Sequence, residues 1–149
     1  MRIIAALAAS AALASCATAP EPSTRTAVAQ RDYETLIAGK IQAAPLTCLP
    51  GFERFDMQVI DGRTVAYSLG NKSTYMVQLS QGCGALGSGG YTLVTRQLGG
   101  TGLCRGDSAS VVDLASRTHA GFCMVQQITP YNRSGQAGAV AEGRNDEAS

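Results

Sequence analysis

Residues 55–79, FDMQVIDGRTVAYSLGNKSTYMVQL, decide the fold. Phe55, Met57 and Val59 alternate with Asp56 and Gln58, Val65, Tyr67 and Leu69 with Ala66 and Ser68, and Tyr75, Val77 and Leu79 with Met76 and Gln78. A period of two in β-branched and aromatic residues marks strands with one face buried. Asp61-Gly62 reads first as a two-residue hairpin loop, but that register sets Val59 opposite Thr64 and sends the two apolar sets to opposite faces. A three-residue loop, Ile60-Asp61-Gly62, pairs Met57 with Val65 and Phe55 with Tyr67, with Gly62 in the left-handed position. The same test on the next hairpin chooses Asn71-Lys72-Ser73 as its loop and pairs Leu69 with Tyr75, Tyr67 with Val77 and Val65 with Leu79. The expectation is a three-stranded antiparallel meander with one continuously apolar face.

Outward from this stretch, Tyr91–Thr95, Ser110–Leu114 and Phe122–Ile128 carry strand composition between glycine clusters. They are expected to close the meander into a small barrel or sandwich. Only Arg31–Ile41 has helical spacing, through Tyr33, Leu36, Ile37 and Lys40, with Gly39 against it. The fold class is therefore mainly β, stapled by disulfides, with room for one short N-terminal helix. The formal net charge of +1 over 149 residues gives no basic excess, which argues against nucleic acid or an acidic membrane surface as partner.

The N-terminus sets the location. Arg2 precedes an apolar, alanine-rich run from Ile3 to Leu13, the layout of an export signal and too short for a permanent membrane span. Leu13-Ala14-Ser15-Cys16 follows and resembles the lipobox of bacterial lipoproteins. The resemblance implies a diacylglyceryl group on the Cys16 thiol, further acylation (palmitate among the chains), and cleavage ahead of Cys16. An ordinary secretory cut after Ala17-Thr18-Ala19 is opposed by Pro20, a poor residue beside a bond that a protease binds extended. Ala17 stands where many lipoproteins retained in the inner membrane carry Asp, so the expected destination is the outer membrane, facing the periplasm. The organisation expected is a signal peptide over 1–15, a lipidated cysteine and tether over 16–30, a β domain over 31–131, and a disordered tail over 132–149.

Five cysteines is an odd number for an exported chain. With Cys16 assigned to lipid, Cys48, Cys83, Cys104 and Cys123 form an even set. Four cysteines allow three connectivities and the sequence does not choose among them; the working expectation is Cys83–Cys104 nested inside Cys48–Cys123. No two of them have C-x-x-C spacing, which argues against a metal site. A core of roughly 85–100 residues is marginal by burial alone, and two bridges at about 2–4 kcal/mol each would supply much of its stability.

The segments Cys48-Leu49-Pro50, Ile60-Asp61-Gly62-Arg63-Thr64-Val65, Gly82-Cys83-Gly84-Ala85-Leu86, Leu103-Cys104-Arg105-Gly106-Asp107 and Gly121-Phe122-Cys123 together resemble small proteobacterial lipoproteins of unknown function. Gly62 stands where that family often has a second acidic residue, and Gly84 where Pro is common, both turn-compatible changes. The resemblance spans Cys48 to about Pro130 and implies fold and location, with no activity, cofactor or catalytic residue attached.

Chemistry is sparse. His119 is the only histidine, sits among polar residues and has no Gly-x-Ser-x-Gly elbow to serve. A small hydrolase using His119 with Asp107 or Asp113 is the least favoured reading, and no enzyme activity, cofactor or metal is expected. Arg105-Gly106-Asp107 reads as a tight turn after Cys104, and the Asn-x-Ser triplets at Asn71 and Asn132 carry no meaning in a bacterial envelope. Gly84, Gly87, Ser88, Gly89, Gly90 and Tyr91 form a glycine-rich loop without the Lys-Ser/Thr of a phosphate loop, read as mobile and available to a partner. Ser88–Tyr91 resembles, over those residues alone, the Ser-Gly-rich segment of the periplasmic lipoprotein inhibitors of C-type lysozyme. The functional expectation is a lipid-anchored β domain that binds an envelope protein, with inhibition of a lytic hydrolase as the alternative.

Overall fold

The computed structural model describes residues 25–51, 54–96 and 102–134. A helix α1 (Ala27–Ile37) leads into β1 (Ile41–Gln42), β2 (Asp56–Asp61), β3 (Thr64–Leu69), β4 (Ser73–Leu79), a 3-10 helix (Gly84–Ser88), β5 (Tyr91–Arg96), β6 (Ser108–Asp113) and β7 (His119–Asn132). The strands are antiparallel in the order β2-β3-β4-β7-β6-β5, with β1 on the flank of β7. The long β7 joins the halves: Met124 and the residues before it pair with β6, and Val125 to Asn132 pair with β4. The result is mainly β, a sheet curled into a half-barrel.

The faces follow the alternation in the sequence, but the registers differ from those expected. Val59 pairs with Val65 and Met57 with Tyr67, each two residues from the expected alignment. The cause is a bulge between Val59 and Asp61, followed by a turn in which the Asp61 carboxylate accepts from the Arg63 N–H at 2.8 Å. Val59 packs, partly buried, against the concave core, while Ile60 is buried on the opposite face. In the second hairpin Leu69 pairs with Ser73 and Tyr67 with Tyr75. Gly70, at φ +52°, takes the left-handed position and moves the loop to Gly70-Asn71-Lys72. Both shifts are of two residues, so no side chain changes face.

The concave face is filled by Val65, Tyr75, Val77, Leu79, Leu93, Val111, Val125 and Ile128, closed over by Leu49, Leu86 and Leu103 from the connecting segments. Phe55 meets Tyr75 and Tyr67 edge-on, with centroids 5.5 and 6.4 Å apart. The opposite face is not solvated as a simple meander would leave it. Helix α1 lays Ala29, Tyr33, Leu36 and Ile37, one stripe at helical spacing, over Ile60, Ala66, Met76 and Tyr131. The helix lies four residues earlier than expected because Thr26 caps it, its hydroxyl accepting from the Ala29 N–H at 3.2 Å. Gly39, at φ +68°, lies just past its end and serves as a stop rather than a mid-helix weakness. The Lys40 ammonium donates to the Leu36 carbonyl and to the Thr74 hydroxyl, both at 2.7 Å, finishing the helix end. Residues 25–30 are therefore part of the domain, and β7 runs through Asn132. The expected signal peptide, Cys16 and the tail beyond Ser134 lie outside the described residues.

Two disulfides form, and their pairing corrects the expected one. Cys48 bonds Cys104 and Cys83 bonds Cys123. Strand order explains it. The segment after β4 runs beside β7, where the Ser80 N–H donates to the Met124 carbonyl at 2.9 Å, and this carries Cys83 to Cys123. Cys48 faces Cys104 as an isolated antiparallel bridge, flanked by Leu49 N–H to Leu103 carbonyl at 2.8 Å. A nested pairing would demand that β6 and its leading turn lie beside the segment after β4, but β7 separates them.

Candidate functional site

The glycine-rich segment is a packed element rather than a mobile loop. Gly84–Ser88 forms a 3-10 helix with Leu86 buried in the core. The close backbone approach that glycine permits is used within the chain: a Cβ on Gly87 would stand 2.8 Å from the Gly62 nitrogen, and one on Gly62 2.7 Å from the Gly84 carbonyl oxygen. The β2–β3 turn is thus seated on this helix. Gly87→Ala is expected to cost about 1–3 kcal/mol as overpacking, seen as a lower urea midpoint at unchanged slope; an unchanged midpoint would restore the mobile reading. Of the six residues expected to meet a partner, Gly84, Gly87, Ser88, Gly89 and Gly90 are exposed, and Tyr91 packs partly against the core.

Asp107 and His119 are not brought together, whereas Asp113 neighbours His119 across the β6–β7 ladder, its N–H donating to the Thr118 carbonyl at 2.9 Å. His119 opens β7, exposed and opposite Val112. Asp113 accepts from the Ala115 and Ser116 N–H groups at 2.8 and 2.9 Å, and the Ser116 bond above all holds its carboxyl below the ordinary range. Its carboxylate therefore shapes the turn into β7. Asp107 lies at the other end of β6, roughly 20 Å away at strand rise. It is buried, and it accepts from the Cys104 N–H at 2.8 Å while its own N–H returns to the Cys104 carbonyl at 3.1 Å. Arg105-Gly106-Asp107 is thus the tight turn expected, with Gly106 at φ +87°. Among the described residues no group of three His, Cys, Asp or Glu could hold a metal ion.

A second polar cluster fastens the N-terminal helix. Arg25 meets Asp61 at 3.1 Å and stacks its guanidinium 4.3 Å over the Tyr33 ring. The Tyr33 hydroxyl lies 2.9 Å from that of Tyr131, which donates to Gln42 at 3.1 Å. Burial first, then the bond to Tyr33, pushes the Tyr131 phenol up to about 12, so it stays a neutral donor at any ordinary pH. This is a clamp between α1 and the sheet.

One exposed apolar surface among the described residues lies on the half of the sheet that α1 does not cover. On the convex side of β5-β6-β7, Val94, Ser110 and Phe122 form one cross-strand row, and Arg96, Ser108 and Met124 the next. Val94, Phe122 and Met124 are 46, 62 and 47 % exposed, an apolar strip in a row with hydroxyls. Beside Met124 opens a cleft of about 580 Å³ walled by Thr47, Ser80, Arg105, Gly106 and Gln126. Arg105 Nε donates to the Gln126 carbonyl at 3.1 Å, which holds the guanidinium across the cleft. The Ser80 hydroxyl is engaged, accepting from the Met124 N–H at 3.0 Å and donating to the Gln81 carbonyl at 3.2 Å. His119, the chain's one imidazole, lies five residues up β7, roughly 16 Å distant. The cleft offers a cation, hydroxyls and apolar wall, which are contacts for binding. No sequence signal announces it, because its walls come from four separate segments.

Fold and surfaces together define a small, disulfide-stapled half-barrel domain whose convex side lies under a helix on one half and is bare on the other. The chain belongs to a family of unknown function, DUF6491, whose model matches residues 1–147. No curated protein and no solved structure matches it.

Proposed function

We propose that this chain is an envelope lipoprotein, anchored to the outer membrane through acyl chains on Cys16, whose half-barrel binds an envelope protein in the periplasm. The observation that carries the reading is the use of cysteine. All four cysteines of the described residues are spent in two disulfides, which suits an oxidising compartment and leaves Cys16 as the fifth, inside Leu13-Ala14-Ser15-Cys16. Several acyl chains at about 0.8 kcal/mol per buried CH₂ give stable attachment where a single chain is marginal. Eight residues separate Cys16 from Arg25, where the clamp to Asp61 and Tyr33 begins. That length spans at most about 30 Å, so the domain works close to its membrane.

Cys16→Ser is expected to abolish lipid labelling and to move the protein from the membrane pellet to the soluble periplasmic fraction, with its melting temperature unchanged. Continued pelleting with membranes would exclude the lipid anchor. The alternative partner, a lytic hydrolase met by the exposed Ser88-Gly89-Gly90 tip, is checked by adding the soluble variant to a C-type lysozyme lysis assay.

A further inference from the structure

We infer that β5 is an association edge through which two copies of this chain pair their sheets. The two edges of the half-barrel are built differently. β2 carries Asp56 and Asp61 at its ends, holds a bulge, and has α1 against it, while the 3-10 helix packs against β2 and β5 alike. Charged residues, prolines, bulges and covering elements are the devices that keep a strand edge from recruiting another. β5, Tyr91-Thr92-Leu93-Val94-Thr95-Arg96, has no bulge and no proline, its only charge is Arg96 at its end, and its composition is strongly strand-forming.

Among the described residues, its outward main-chain groups meet no other strand. The Leu114 N–H bonds the Gly90 carbonyl at 2.9 Å, which fixes the phase of the β5–β6 ladder. Thr92, Val94 and Arg96 then bond toward β6, and the N–H and C=O groups of Tyr91, Leu93 and Thr95 point away from it. None of these three has a backbone partner on that side among the described residues.

The occupant that fits is a second copy, antiparallel about a two-fold axis. Opposed residues must share a face, and burial selects the register with Val94 opposite Val94. This covers a side chain left 46 % exposed and sets Thr92 against Arg96, so that no like charges meet. The convex strips then join, running Phe122, Ser110, Val94 across the axis to Val94, Ser110, Phe122. A single edge of this length falls below the ~1,200 Å² of standard interfaces, so association in the micromolar range or weaker is expected. The inference does not depend on lipid at Cys16.

The test is sedimentation of the full chain carrying Cys16→Ser, with two added variants. The parent is expected to approach twice its monomer mass as concentration rises. Thr95→Pro removes an N–H that faces away from β6, so the fold should keep its melting temperature while self-association weakens roughly tenfold to thirtyfold, one bond being lost twice by symmetry. Val94→Cys should form a disulfide-linked dimer under oxidation, since a pair outside the new hydrogen bonds would place Cα atoms about 4.5 Å apart. A monomer up to about 1 mM would overturn the inference. So would a dimer unaffected by Thr95→Pro that fails to link through Val94→Cys.

Discussion

Replacing Cys83 and Cys123 together by alanine is expected to cost about 4–5 kcal/mol, enough to leave much of the protein unfolded near 37 °C. Loop length does not set this bridge apart. Chain entropy gives about 4 kcal/mol for each bridge, because separations of 40 and 56 residues differ little on a logarithmic scale. Position does set it apart. Cys83 and Cys123 are 0 and 2 % exposed within the main core, whereas Cys48 and Cys104 are only partly buried. Removing the inner bridge therefore also leaves a cavity beside Leu79 and Val125, while Cys48→Ala with Cys104→Ala loses the entropic part alone. The chain has no tryptophan, so urea curves followed by far-UV circular dichroism are the measurement. An equal or smaller loss for the inner pair would show that burial of the bridge adds nothing.

The strands were legible because each carries its own alternation, and that signal survives errors of alignment. The hairpins show the boundary of such reading. Parity, which decides face, follows from Val65, Tyr67, Tyr75 and Val77, but the pairing partner depends on whether a bulge intervenes. Ile60, at the bulge, packs under a helix on the far face, and nothing within residues 55–79 tells of that helix. Helix α1 is expected four residues too far along the chain, since Gly39 has the look of a flaw inside a helix instead of its stop, and Thr26 falls in the stretch expected as tether.

The candidate site was less legible than the fold for a related reason. The glycines of 84–90 announce close backbone approach, and the sequence does not say to what; the approach is to the β2–β3 turn. The bare strip of Val94, Phe122 and Met124 looks in sequence like ordinary core, because exposure depends on which half of the sheet α1 covers. Disulfide pairing failed likewise. It follows strand order, and β7, last in the chain, lies between β4 and β6.

Gly82→Ala is expected to cost about 3 kcal/mol or more, against less than about 0.5 kcal/mol for Gly84→Ala two residues on. Gly82 lies at φ +112°, a conformation L side chains rarely adopt, and a Cβ there would run into the Phe122 carbonyl. Gly121 faces it in the same manner, its added Cβ meeting the Gly82 carbonyl, so neither backbone can give way without moving the other. Gly84 has neither constraint: its φ is not positive and a Cβ would meet nothing within 4 Å. The two glycines bring the segment after β4 flush against β7, and Cys83 and Cys123 are the residues immediately beyond or next but one. Loss of that contact should thus appear as chemistry as well as stability, with Gly82→Ala releasing two titratable thiols in protein still partly folded. A destabilised variant whose Cys83–Cys123 bond forms in full would mean that the disulfide, and not the paired glycines, positions these segments.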